Sequence, residues 1–330
     1  MRRTKLILVE GLPGSGKSTL AQYLTWCLKA GSVDVRWWYE EELGHPVYVF
    51  HDRDSLRETV AALTQGRYAT VVDAALAQWR RFAGMVANEN RVVLLDSCLF
   101  GYLTWSLFPL GVPETEIESY VAEVARIITP VDPCLIYLYQ DDVGASLRRV
   151  CDRRGSATKQ RLMEQSTQSR YGQRHQLSGF DGMVEYWNAY RRLTDAMYRS
   201  FAFPKIAIET TAGDWAAYQR RALALLDLPP RDAPQLSPAA LCAFTGVYDD
   251  PVDGGAVTVA LGETGLILHG MPEVWQATPL WPLAVDRFAV ESLPFELRFE
   301  CGANGECQML VDGPELIGGA LPRLLVRRSE

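Results

Sequence analysis

Gly11-Leu12-Pro13-Gly14-Ser15-Gly16-Lys17-Ser18 decides how the first two-thirds of this chain reads. The octet fits the spacing G-x-x-x-x-G-K-[ST], and Thr19 follows it. A short apolar run, Leu6-Ile7-Leu8-Val9, precedes it, and a helix pattern from Lys17 to Lys29 continues it. In that setting glycines let the backbone wrap a phosphate chain with its N–H groups turned inward. The helix N-terminus adds its positive dipole end. Lys17 is then placed to neutralise the β- and γ-phosphates, and Ser18 to put its hydroxyl on Mg²⁺. Gly11, Pro13, Gly14, Ser15, Gly16, Lys17, Ser18 and Thr19 form the expected binding set for ATP and Mg²⁺. The plain alternative is a glycine-rich turn that binds nothing, and the flanking strand and helix weigh against it.

Outward from the octet, strand-like and helix-like segments alternate. Val33–Trp38, Val92–Leu95, Cys134–Tyr139 and Lys205–Ile208 read as strands. Leu56–Leu63, Val72–Val86, Leu99–Leu107, Glu114–Ile128, Val143–Arg153, Gly182–Phe201 and Trp215–Leu226 read as helices. Residues 155–180 are polar, contain glycine and show no clear period. The run Val92-Val93-Leu94-Leu95 has no polar face, as a central parallel strand buried on both sides requires. The expectation is an α/β domain built on a doubly wound parallel sheet over residues 1–227.

Leu228-Pro229-Pro230-Arg231-Asp232-Ala233-Pro234 cannot continue a helix, and a linker is expected over 228–238. Beyond it, Val257–Leu261, Leu266–His269, Arg287–Val290, Glu296–Cys301, Gln308–Val311 and Leu324–Arg327 are short alternating runs. Gly254-Gly255, Gly262, Gly265, Asn304-Gly305 and Asp312-Gly313 punctuate them. That spacing predicts a C-terminal antiparallel all-β domain over 239–330: a sheet, sandwich or small barrel.

The 330 residues are 48% hydrophobic and 22% charged, enough to build two cores. Net charge is −7, and residues 240–330 carry thirteen acidic residues against five arginines. Such a balance opposes nucleic-acid binding, which needs the opposite sign. No apolar run approaches the length of a membrane span, and Leu6–Val9 is too short for a signal-peptide core, so a cytoplasmic protein without a membrane partner is expected. Seven dispersed cysteines lack the spacing of a zinc or redox motif and are expected as free thiols. Cys301 and Cys307 could meet across a hairpin, but the odd total argues against a disulfide framework.

Three patches resemble the thymidylate kinases and deoxynucleoside kinases. Val9-Glu10-Gly11 resembles the opening of the thymidylate kinase loop. Asp96-Ser97 ends a strand where those families carry an acidic residue followed by arginine. Pro133–Leu138, followed by Asp141-Asp142, Leu147, Arg149, Val150, Arg153 and Gly155, resembles the strand, helix and arginine-bearing start of the lid. Two departures stand out: Ser97 replaces the arginine, and Trp37-Trp38-Tyr39-Glu40-Glu41-Glu42 replaces the arginine-proline stretch that grips an acceptor's phosphate in thymidylate kinases. Three carboxylates there would repel a phosphorylated acceptor. Deoxynucleoside kinases place a general-base glutamate after this strand, a role open to Glu40, Glu41 or Glu42. The acceptor expected is therefore unphosphorylated and alcohol-bearing, nucleoside-like or another small molecule, a cationic one among them.

On this resemblance the reaction is transfer of the γ-phosphoryl of ATP to a hydroxyl, with Lys17, Asp96, Glu41, Arg149 and Arg153 as catalytic residues and Ser18 and Asp96 on the metal. Asp96 is a further candidate for accepting the hydroxyl proton; its plain alternative is a cap on the helix from Cys98, and that of the arginines around Arg149 is a solvated helix face. His51-Asp52-Arg53-Asp54 reads evenly as acceptor pocket or helix start. Competing readings are a nucleoside monophosphate kinase and a non-catalytic ATP-dependent switch. The β domain faintly resembles one appended to β-lactamase-like hydrolases, on Ala243–Tyr248 and Arg287-Phe288, with no catalytic motif. It is expected to be an appendage, an acceptor cover or a homodimer contact.

Overall fold

In a computed structural model, residues 4–231, 234–252, 254–271, 277–302, 306–317 and 323–328 are described. The Asn304-Gly305 turn and Asp232-Ala233 of the expected linker lie outside them. The chain divides into two compact units, Met1–Glu40 with Gly44–Pro230, and Glu41–Leu43 with Arg231–Glu330.

In the first unit, β1 (Leu6–Gly11), β2 (Val35–Trp38), β3 (Val92–Asp96), β4 (Pro133–Tyr139) and β5 (Lys205–Glu209) form one sheet in the order β2-β3-β1-β4-β5. Every neighbouring pair is parallel. The helices are α1 (Lys17–Ala30), α2 (Arg53–Thr64), α3 (Tyr68–Asn88), α4 (Leu103–Leu107), α5 (Glu114–Ile128), α6 (Val143–Arg154), α7 (Ser156–Thr167), α8 (Arg170–Arg174), α9 (Gly179–Ser200) and α10 (Trp215–Leu226). Because β1 lies between β3 and β4, the chain leaves it in one direction and later crosses to its other side. The carboxyl ends of β1 and β3 therefore border the crevice in which open α/β sheets bind ligands. The buried Leu6, Ile7 and Leu8 of β1 each contribute about 1.5–3 kcal/mol of apolar burial.

Local chemistry sets the helix ends. Asp52 caps α2, accepting from the Ser55 N–H at 2.8 Å, and the Ser55 hydroxyl completes the box by accepting from the Asp52 N–H. The His51–Asp54 stretch is thus an exposed helix start. Asp142 caps α6 and Asp214 caps α10 in the same way. Helix α5 opens with Glu114 and Glu116 and ends near Arg126, each sign matched to the dipole end it faces.

Residues 155–180, which show no period in sequence, contain α7 and α8. Ser166 is the only side chain of α7 that is fully buried, so its helicity follows the propensity of Lys, Gln, Arg, Leu, Met and Glu rather than an apolar stripe.

Among its described residues the second unit holds α11 (Pro238–Cys242) and eight strands: β6 (Gly246–Asp249), β7 (Ala256–Leu261), β8 (Leu266–His269), β9 (Thr278–Pro282), β10 (Arg287–Val290), β11 (Glu296–Cys301), β12 (Cys307–Asp312) and β13 (Arg323–Arg327). They close into an antiparallel barrel, β10-β11-β12-β13-β6-β7-β8-β9. Alternate residues face inward, and Tyr248, Val259, Leu268, Phe288, Leu297, Phe299 and Met309 are buried there. Within this unit the Glu41–Leu43 segment pairs with Glu315–Ile317: Leu43 N–H donates to the Glu315 carbonyl and Ile317 N–H to that of Glu41.

Cys301 and Cys307 form a disulfide, against the expectation of free thiols. The β11–β12 register sets them directly opposite, with Cα atoms 4.0 Å apart. An odd total does not prevent one well-placed pair; Cys27, Cys98, Cys134, Cys151 and Cys242 are not disulfide-bonded. Among the described residues no helix is long and apolar enough to cross a membrane.

Candidate functional site

The octet forms a loop between β1 and α1, and three of its glycines are obligatory. Gly11, Gly14 and Gly16 have φ of +154°, +75° and +89°. A Cβ on Gly11 would stand 2.2 Å from the Leu138 carbonyl oxygen, and one on Gly14 would stand 2.2 Å from Cγ2 of Val150. On Gly16 it would meet the Trp215 ring at 1.9 Å. The loop is therefore walled by β4, α6 and the start of α10, and only hydrogen fits at each contact. Lys17 opens α1, almost wholly buried, with Nζ donating to the Leu12 carbonyl at 3.3 Å. Pro13, Ser18 and Thr19 are half-buried around it. The Ser15 hydroxyl is buried and has no hydrogen-bond partner.

Asp96 ends β3 opposite Val9 of β1 and is completely buried. Neither of its carboxylate oxygens has a hydrogen-bond partner. Burial first, then the charge of Glu40, pushes its pKa well above the ordinary carboxylate range. Lys17 pulls the other way, as does the Ser18 hydroxyl. Asp96 does not cap the following segment. That task falls to Glu10, whose carboxylate accepts from the N–H groups of Cys98 at 3.0 Å, Leu99 at 2.7 Å and Phe100 at 3.0 Å. Burial raises the pKa of Glu10 to about 7 against the opposing pull of those bonds and of Lys17. Ser97 sits between the two carboxylates with φ +59°, its N–H on the Val9 carbonyl. The left-handed turn there swings the next three N–H groups onto Glu10.

Past β2 the three consecutive glutamates part company. Glu40 belongs to the first unit, half-buried, and its charge acts on Asp96, Tyr48 and Cys98. Glu41 and Glu42 belong to the second unit, in the segment that pairs with Glu315–Ile317. The Tyr48 hydroxyl donates to the Glu40 carbonyl at 2.6 Å, and the Tyr48 ring stacks on His45 and Tyr102, both at 4.1 Å. His45 lies 3.1 Å from the Cys98 sulfur, and burial, then Arg36, lowers its pKa to about 3, so the imidazole is neutral. Cys98 is likewise held as a neutral thiol by burial and the nearby carboxylates. The Arg36 guanidinium lies over the Trp38 ring at 4.1 Å. The side of the crevice beside Asp96 is therefore aromatic and acidic.

Arg149 and Arg153 lie four residues apart on α6, both exposed. Their helix is docked on the loop through Val150, the residue after Arg149. Arg148, their neighbour, instead lies over the Phe180 ring at 5.3 Å. Sequence reading passed over Gln140, Arg191 and Trp215. Gln140 donates to the Gly14 carbonyl, Arg191 to the carbonyl of Gln140, and Trp215 closes on Gly16. Glu10 had a sequence signal, a lone charge at the end of an apolar strand; the other three had none.

The buried, partnerless oxygens of Asp96 and Ser15 beside a lysine and a serine hydroxyl are the donor set that an Mg²⁺–phosphate group completes, and the residues present fit it. No family model matches the chain, and no curated protein matches it. A solved structure of the YorR protein of Bacillus subtilis, in complex with phosphorylated GDP, aligns with 67% of this chain and 95% of its own, at 12% identity and a TM-score of 0.35. So slight a likeness carries no argument.

Proposed function

We propose that the first unit is an ATP- and Mg²⁺-dependent kinase that phosphorylates a hydroxyl of a small, unphosphorylated acceptor. The observation that supports it most is Asp96: a carboxylate with both oxygens partnerless, fully buried, within the electrostatic reach of the loop lysine. A protein retains so costly an arrangement where a ligand completes it.

In this reading Lys17 leaves the Leu12 carbonyl for the β- and γ-phosphates, and the loop's backbone amides and the α1 N-terminus cradle the chain. Ser18 and Asp96 hold the magnesium. When bound, the metal neutralises the charge on the phosphate oxygens. Glu40 takes the proton of the attacking hydroxyl. It is preferred to Glu41 because it shares the unit of Asp96 and acts on it directly. Arg149 and Arg153 stabilise the charge on the transferring phosphoryl. The carboxylates of Glu40 and Asp96 disfavour an acceptor that already carries phosphate.

The test is ADP production from ATP across a panel of hydroxyl compounds that includes thymidine and thymidine monophosphate. The proposal expects at least one unphosphorylated alcohol to stimulate turnover, and Glu40→Gln to cut it about a hundredfold or more. Efficient phosphorylation of thymidine monophosphate, or no stimulation by any alcohol while ATP binds, would overturn it.

A further inference from the structure

Gln140, the first residue after β4, is buried, and its side chain joins the phosphate loop to α6. Its Nε2 donates to the Gly14 carbonyl at 3.2 Å, and its Oε1 accepts from the Ser146 hydroxyl on α6. The amide orientation is forced. A carbonyl oxygen only accepts, so the NH₂ must face Gly14, which leaves Oε1 for Ser146. The Gln140 carbonyl accepts from Nη1 of Arg191. Arg191 is itself held by Asp141 at 3.3 Å and Asp195 at 3.5 Å, and lies over the Tyr139 ring at 4.9 Å. The end of β4, α6, α9 and the loop thus meet at one residue.

The loop needs such an anchor at this point. Gly14 is at φ +75° and exposed, and a glycine carries no side chain to hold its own conformation. Val150 fills the space beside it, but an apolar contact does not orient a peptide plane. Two hydrogen bonds do: inside the loop the Ser15 N–H donates to the Leu12 carbonyl at 3.2 Å, and from outside it Gln140 donates to the Gly14 carbonyl on the other edge of the same planar peptide. Ser146 and Val150 lie four residues apart on α6, the helix that also bears Arg149 and Arg153.

We infer that Gln140 is a positioning residue for phosphate binding: it ties the Gly14–Ser15 peptide to α6, so that the phosphate loop and the helix bearing Arg149 and Arg153 keep one mutual geometry. The inference rests on the nucleotide reading of the loop. It adds that the loop's geometry is supplied in part from outside the octet, by the Gln140–Ser146 pair with Arg191 behind it.

The experiment is calorimetric titration of Mg²⁺–ATP and NMR titration of adenosine into the full chain, comparing wild type with Gln140→Leu, Gln140→Glu and Ser146→Ala. Gln140→Leu is expected to weaken Mg²⁺–ATP by at least about tenfold, since a small misplacement of a positioned group is costly, while adenosine affinity stays within about twofold. Gln140→Glu keeps the acceptor for Ser146 but offers Gly14 no donor, and is expected to do no better than Leu. Ser146→Ala moves in the same direction by less. If Gln140→Leu does not fold, Ser146→Ala carries the same comparison. Mg²⁺–ATP affinity within about twofold of wild type in the variants, or equal losses for ATP and adenosine, overturns the inference while leaving the nucleotide reading intact. A wild-type chain that binds no Mg²⁺–ATP overturns both.

Discussion

At the scale of single residues, two buried carboxylates a few ångströms of strand apart do opposite work. Glu10 spends its lone pairs on three backbone N–H groups and holds the turn after β3 in place. Neither oxygen of Asp96 is engaged in this way. Replacing Asp96 by Asn should abolish Mg²⁺-dependent ATP binding yet stabilise the ligand-free chain by about 0.5–2 kcal/mol, as removing a functional strain does. Thermal or urea unfolding of both forms without nucleotide checks this, and a destabilised Asn variant would count against Asp96 as a ligand site. Glu10 predicts a pH dependence. Its pKa rises from 4.5 to about 7 on folding, so the folded chain holds the extra proton between those values. The contribution of Glu10 to stability therefore falls as pH rises from about 4.5 to about 7, by at most ~1.4 kcal/mol per pH unit, and levels off above. Urea unfolding at pH 5, 6, 7 and 8 should show that fall in wild type and a shallower one in Glu10→Gln, where the buried Asp96 still takes up a proton on folding.

At the scale of elements, what sequence could foresee follows from which forces act locally. The octet announced its own loop because glycine at three left-handed positions is a backbone demand, not a packing outcome. Gly16→Ala should cost about 1–3 kcal/mol, from its strained φ and the Trp215 ring behind it, and should remove ATP binding. Strands β1, β3 and β4 were legible because both of their faces are apolar. Helix α7 was not, since it rests on propensity and buries little. The His51–Asp54 stretch shows how a local rule settles an ambiguous reading: Asp52 and Ser55 close a capping box. Asp52→Ala should therefore cost about 1 kcal/mol of stability and leave ATP turnover unchanged. A turnover loss larger than the stability loss explains would restore this stretch to the acceptor pocket. Of the candidate site, the loop was visible in sequence, being contiguous. Gln140, Arg191 and Trp215 were not, because only the parallel sheet order brings their distant segments to the loop.

At the scale of the whole molecule, the chain carries two cores with different staples. The first unit has a layered core around a parallel sheet; the second has a closed barrel with a disulfide across the β11–β12 hairpin. The turn spacing predicted an antiparallel domain, but closure depends on β13 pairing with β6, the last strand with the first, a contact no local pattern announces. The Cys301–Cys307 bond closes a short loop, so its reduction should cost the barrel unit about 2 kcal/mol and leave ATP binding by the first unit unaltered. Unfolding scans with and without reductant, alongside nucleotide titration, read both effects. The central claim, that Asp96 and the phosphate loop form one metal–nucleotide site, is tested most directly by calorimetric titration of ATP into wild type and Asp96→Asn, each with and without Mg²⁺. The account predicts binding that Mg²⁺ strengthens in wild type and a loss of that dependence in the Asn variant. Equal affinity with and without Mg²⁺ in wild type, or full Mg²⁺ dependence retained by Asp96→Asn, would contradict it.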